Sequence, residues 1–105
     1  MVIEWLKFRV VPELREKFIK LDKEIWTTSL ADYPGFLAKE VWIEPTASDE
    51  VVFTIRWQSR QQWKSIPPED LAAIETQFSA AMGSTNYQML ESKEYQIRKF
   101  AEHTS

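Results

Sequence analysis

The sequence predicts an α+β fold in which a four-stranded antiparallel sheet carries two helices on one face, with the element order βαββαβ. Three observations predict it. Four runs rich in β-forming residues are separated by turn signals, and two longer stretches between them carry an apolar stripe at helical spacing. The chain has 105 residues, 44% of them hydrophobic and 13% aromatic, which suits a single core and a single domain over residues 1–105.

Residues 2–10 read as the first strand, ending before Pro12, whose fixed φ suits the opening turn of a helix. The helix expected over 12–30 places Leu14, Phe18, Leu21, Ile25 and Ser29 on one face, while Glu13/Lys17 and Glu16/Lys20 pair at i,i+4 on the wet side. Tyr33-Pro34-Gly35-Phe36 puts Pro and Gly at the centre of a turn, of type II because Gly accepts the positive φ required there. Strands over 36–44 and 50–58 follow, joined by Pro45-Thr46-Ala47-Ser48-Asp49 as an antiparallel hairpin. Ser59-Arg60-Gln61-Gln62 matches a capping box that opens a short helix. Pro67-Pro68 interrupts it, and a longer helix over 68–82 buries Leu71, Ile74, Phe78 and Met82 before Gly83 stops it. A last strand is expected over 87–100. This order is the ferredoxin-like pattern.

Both faces of the sheet carry bulky apolar groups. Simple alternation sets Ile3 and Trp5 against Leu6, Phe8 and Val10, and Phe36 and Trp42 against Leu37, Val41 and Ile43. Helices cover one face only, so a homodimer is expected to cover the other, with Trp5 and Trp42 as interface residues.

Composition excludes several functions. A net charge of −3 with pI near 5.2 argues against nucleic acid as a partner. No run approaches the ~20 apolar residues of a membrane span, and the first residues do not form a secretory signal, so a soluble cytoplasmic protein is expected. With Cys 0 and one His, His103, near the end, neither a thiolate nucleophile nor a His/Cys metal site can be assembled.

Tyr33-Pro34-Gly35-Phe36-Leu37 before a strand, then Phe53-Thr54-Ile55-Arg56-Trp57-Gln58-Ser59 leading through Trp63 into helices, resembles the antibiotic biosynthesis monooxygenase family. That family is the dimeric α/β-barrel branch of the ferredoxin-like fold, and the Trp content is similar to a small branch found mainly in cyanobacteria. The resemblance implies sheets facing each other across a dimer. It also implies a partly hydrophobic pocket in each protomer, and oxygenation of aromatic or quinol-like substrates without metal, flavin or other cofactor. Trp57 stands where a Trp lines the pocket in several such enzymes. Haem-cleaving relatives carry an Asn on the first strand and a His on the long helix; this chain has neither, so haem cleavage is not expected.

Trp57 is the leading ligand-pocket candidate, with Trp63, Phe78, Phe53 and Arg56 beside it. Trp57 serves equally well as core filler, and Trp63 either closes a pocket mouth or anchors its helix to the sheet. Trp26 reads as peripheral core. Among Glu4, Arg9, Glu40 and Arg56, which lie on strands, at least one is expected in a partly enclosed space, paired. Alternation groups Val51, Phe53, Ile55 and Trp57 against Val52, Thr54, Arg56 and Gln58, but does not say which set faces the helices. His103 reads as a frayed terminus, and Lys93, Glu94, Arg98 and Lys99 as a solvated strand edge. Two functions remain open: a cofactor-independent monooxygenase acting on a small aromatic, and a non-catalytic dimer that binds a small ligand or serves as a structural or regulatory module.

Overall fold

In the computed structural model, which describes residues 1–102, strands β1 (Val2–Val10), β2 (Phe36–Trp42), β3 (Glu50–Trp57) and β4 (Tyr87–Gln96) form one sheet in the order β2-β3-β1-β4. Every neighbouring pair is antiparallel. Helical run α1 spans 12–30, α2 is Arg60–Lys64 and α3 is Pro68–Met82. His103 lies outside the described residues.

The strand parity left open by the sequence resolves with Val51, Phe53, Ile55 and Trp57 toward the helices, all buried, alongside Val2, Leu6, Phe8 and Val10 of β1. Phe18 of α1 joins the layers: its ring lies 5.7 Å from Phe53, 5.4 Å from Phe78 and 5.6 Å from Tyr87. Phe18, Phe53 and Phe78, all buried, each contribute about 1.5–3 kcal/mol by removal from water, with edge-to-face contact adding to it.

The helix α1 is not uniform. It opens with a tight 3-10 turn at Pro12–Leu14 and widens over Asp22–Thr27, where the Thr28 N–H donates to Lys23 O, five residues back. The wider turn shifts the buried stripe to Phe18, Asp22, Ile25 and Leu30, so Leu30 takes the place expected for Ser29. The Ser29 hydroxyl instead donates to Ile25 O at 2.7 Å.

Phe36 and Trp42 do not share a face. The register of β2 against β3 shifts between Phe36 and Ala38, a bulge at Leu37. Phe36 therefore packs edge-on against Trp57 at 5.7 Å on the helix side, whereas Trp42 stands 50% exposed on the open face. Strand β4 stops at Gln96 rather than residue 100, because Gln96 pairs with Val2, the first residue of β1, and beyond Ile97 N–H to Met1 O no partner strand remains.

The turn and caps follow their local chemistry. Gly35 adopts φ +92°, and its carbonyl accepts from Gln58 N–H at 2.8 Å. Ser59 Oγ accepts from Gln62 N–H at 3.1 Å, and Gln62 Oε1 reaches back to the Ser59 hydroxyl, not to its backbone N–H. Gly83, at φ +87°, ends α3. Among the described residues no helix is long and apolar enough to cross a membrane.

Candidate functional site

Strand β1 must place every second residue toward the helices, and its alternation puts Glu4 between Val2 and Leu6 on that side. Opposite it in register is Ile55, and Trp57 follows two residues later on the same face. The Trp57 indole is fully buried, and its Nε1–H donates to Glu4 Oε1 at 3.2 Å. Among the described residues it is the one side-chain donor to Glu4.

These groups open into a cavity of about 540 Å³ between the sheet and the helices. That volume lies within the range of roughly 300–1,000 Å³ usual for small-molecule sites. Leu6, Phe8, Phe53 and Ile55 form its sheet wall, Trp26 and Leu30 come from α1, and Trp63, Ile66 and Leu71 close the side of α2 and α3. Tyr87 and Met89 of β4 stand near Glu75 of α3, whose carboxylate accepts from the Tyr87 hydroxyl.

Helix α1 and strand β2 bring a second pair of charges to the same cavity, Asp22 and Lys39. Lys39 Nζ lies 2.5 Å from Asp22 Oδ2, with the two side chains 5% and 7% exposed, and 4.5 Å from the Phe53 ring centroid. Burial pushes the Asp22 carboxyl up from its ordinary range, opposed by the Lys39 charge and hydrogen bond. Burial pulls the Lys39 ammonium down, opposed by Asp22 and, more weakly, Glu4. Glu4 too is pushed up by burial, while the Trp57 N–H and the charges of Lys39 and Lys64 hold it back. The result is an aromatic-walled space in which the carboxylates of Glu4 and Asp22 and the Lys39 ammonium stand together, with the more exposed Glu75 at its β4 side.

The structure brings Trp57, Trp63 and Phe53 together around this cavity. It places Phe78 elsewhere, 2% exposed in the aromatic core with Phe18 and Tyr87. Arg56 is also separated from the cavity: as the neighbour of Trp57 on a strand it points to the opposite face. There it lines a groove of about 570 Å³ with Ile3, Trp42, Lys99 and Phe100. Trp5 lies on this open face as well, with Lys93 Nζ 5.1 Å from its ring. Trp26 packs against the edge of both core clusters, as expected, and lines the cavity as well.

Asp22 and Lys39 were not legible as site residues from spacing alone. The readable signal for Asp22 is its place between Phe18 and Ile25 at i, i+4 and i+7, an acid on an otherwise apolar stripe. Among the described residues no group of three or more His, Asp and Glu is placed to hold a metal ion.

A protein-family model described as Antibiotic biosynthesis monooxygenase matches residues 1–66. Among curated proteins no sequence matches the chain significantly. Solved structures are similar over nearly the full length. SnoaB of Streptomyces nogalater, described as a cofactor-independent oxygenase, superposes with a TM-score of 0.72 at 16% identity over 97% of each chain. A monooxygenase of Streptomyces coelicolor from the gene ActVA-Orf6, in complex with nanaomycin D, gives a TM-score of 0.74 at 18% identity, covering 98% of this chain and 92% of that one. A conserved protein of Methanosarcina mazei gives 0.60 at 17% identity over 90% and 87% of the two chains. At these identities the structural likeness shows the fold.

Proposed function

The chain belongs to the antibiotic biosynthesis monooxygenase family, and from that premise we propose that it is a cofactor-independent monooxygenase whose cavity beside Trp57 takes a small aromatic or quinol-like substrate. The observation that carries the proposal is Glu4, a carboxylate held by an indole N–H in an aromatic-walled cavity, where a proton acceptor of raised basicity meets a flat apolar ligand. The description of SnoaB and the nanaomycin D bound to the Streptomyces coelicolor enzyme support this reading.

Without a resident redox group the substrate itself supplies the electrons. For a phenol with hydrogen on the para carbon, Glu4 takes the hydroxyl proton, and the electron-rich ring then reduces O2 and forms a C–O bond at that carbon. Glu4 returns its proton to the distal peroxide oxygen and then removes the para C–H proton. The C–H electrons form the second C–O bond as the O–O bond breaks, and the departing hydroxide leaves with that proton as water. Phenol plus O2 becomes quinone plus water, with all four electrons drawn from the ring. The protein contributes exclusion of water, orientation between Trp57, Trp63 and Phe53, and one proton carrier.

We infer that residues 1–105 form one domain that works in the cytoplasm as a homodimer, a second copy covering the open sheet face where Trp5 and Trp42 stand. Exposure of Trp42, Tyr95 and Phe100 supports this, since a patch of that kind is typically covered in soluble proteins.

The test is a panel of naphthoquinones, flavins and simple phenols, scored by quenching of tryptophan fluorescence and by O2 uptake with isotopically labelled oxygen. Glu4→Gln is expected to retain binding and lose about 10²–10⁴-fold in turnover. Binding without O2 uptake by any phenol supports a non-catalytic ligand-binding dimer instead, and absence of any binding overturns the site.

A further inference from the structure

The mechanism above leaves the Lys39–Asp22 pair without a chemical task. Its burial needs explaining, because taking two charges out of water costs several kcal/mol per ion, and well-packed apolar residues at such sites are often as stable or more so. The pair is not buried in featureless core. Both side chains belong to the wall of the cavity, and the Phe53 ring that underlies Lys39 belongs to it too.

We propose that Lys39 is a carbonyl-binding nucleophile: the cavity captures aromatic aldehydes as a Schiff base on Lys39 Nζ, with Asp22 carrying the protons. At 2.5 Å, Asp22 Oδ2 is in contact with the proton that must leave before the amine can attack. The nitrogen lone pair forms the C–N bond, the carbonyl π pair moves to oxygen, and the alkoxide becomes a hydroxyl by a proton passed from the new ammonium through Asp22. Asp22 then gives up the proton it first received, the C–O bond breaks, and water leaves. The balance is Lys39 ammonium plus aldehyde giving a protonated imine plus water, with Asp22 ionised at both ends. The product keeps one positive charge beside Asp22, so the electrostatics of the buried pair survive capture. Burial acts in the same direction, since it favours the neutral amine and the neutral acid. The aromatic class of the aldehyde follows from the walls, where the Phe53 ring lies 4.5 Å from Lys39 Nζ and Trp26 and Trp57 line the same cavity.

This goes beyond the monooxygenase reading and its test needs no oxygen. The folded protein is incubated anaerobically with benzaldehyde and sodium cyanoborohydride, and the reduced adduct is located by peptide mass spectrometry. Lys39 is expected to be labelled several-fold faster than any exposed lysine such as Lys17 or Lys20. Lys39→Arg keeps the charge and is expected to lose that adduct alone, while urea-unfolded protein loses the selectivity. Labelling confined to exposed lysines and the chain's amino group, with Lys39 unmodified in the folded protein yet labelled in urea, overturns the proposal. Loss of O2 uptake by every phenol leaves it standing.

Discussion

Trp57→Phe separates two roles of one side chain, because it removes a hydrogen-bond donor and a volume of packing together. The indole N–H donates to Glu4 Oε1 at 3.2 Å, and a bond to an ionised group contributes roughly 1.5–3 kcal/mol. The ring is 0% exposed, so trimming it to phenyl leaves a void that lowers stability by roughly 1–3 kcal/mol. Only the first loss depends on pH. The folded state raises the Glu4 carboxyl above its unfolded value of 4.5, so its stabilising contribution is full below that value and is lost as pH rises through the folded one. Removing the N–H raises the folded value further, and the charged form then weighs more heavily on the fold at neutral pH. The variant is thus expected to be destabilised more at neutral pH than in acid, the difference being roughly the 1.5–3 kcal/mol of the lost bond. Chemical denaturation across pH, with carbon NMR of the Glu4 carboxyl, reads both effects. Equal destabilisation at all pH values and an unmoved Glu4 titration would refute the reasoning, leaving Trp57 as packing alone.

Three further outcomes are expected. Lys39→Met strands the Asp22 carboxylate in the cavity wall and should lower stability by roughly 3–5 kcal/mol, whereas Lys39→Met with Asp22→Leu should recover most of it in denaturant melts. Trp5→Glu places a charge on the open sheet face and should turn a dimer into a monomer by light scattering; a wild-type protein that is already monomeric removes the basis for the dimer. Gly35→Ala should lower the melting temperature through a loss of roughly 1–3 kcal/mol, since φ is +92° and the new Cβ would lie 2.7 Å from Gln62 Cβ.

What the sequence disclosed was the part written in local periodicity. The extents of β1 and α3 emerge as expected because proline, glycine and alternation mark them directly. The faces of β2 did not, since one extra residue at Leu37 inverts parity for everything upstream of it, and a bulge carries no residue signature here. The wide turn of α1 is similar: Asp22 opens it and meets Lys39 of β2, a contact between distant elements that no local pattern marks. Trp57 and Trp63 stand out in a one-dimensional reading as aromatic residues near element ends, and Phe53 shares a strand face with Trp57. Glu4 was one of four strand charges, and alternation alone could not say which faced the helices. The charged centre was hidden because its members lie on three elements.

That dispersal has a kinetic consequence. Of the three strand pairings, only β2 with β3 joins neighbours in sequence, while β1 must find β3 and β4 across most of the chain. Long loops of this kind close late and slow the search, so the local hairpin can form while β1 is still free. Glu4 rides on β1, and so Trp57 and Lys39 wait in a half-built wall until β1 docks and gives β4 its partner in the sheet. Chains stalled before that step present the edge of β3 and an apolar, unclosed face to one another. The same strand that completes the cavity is therefore also the guard against self-association during folding.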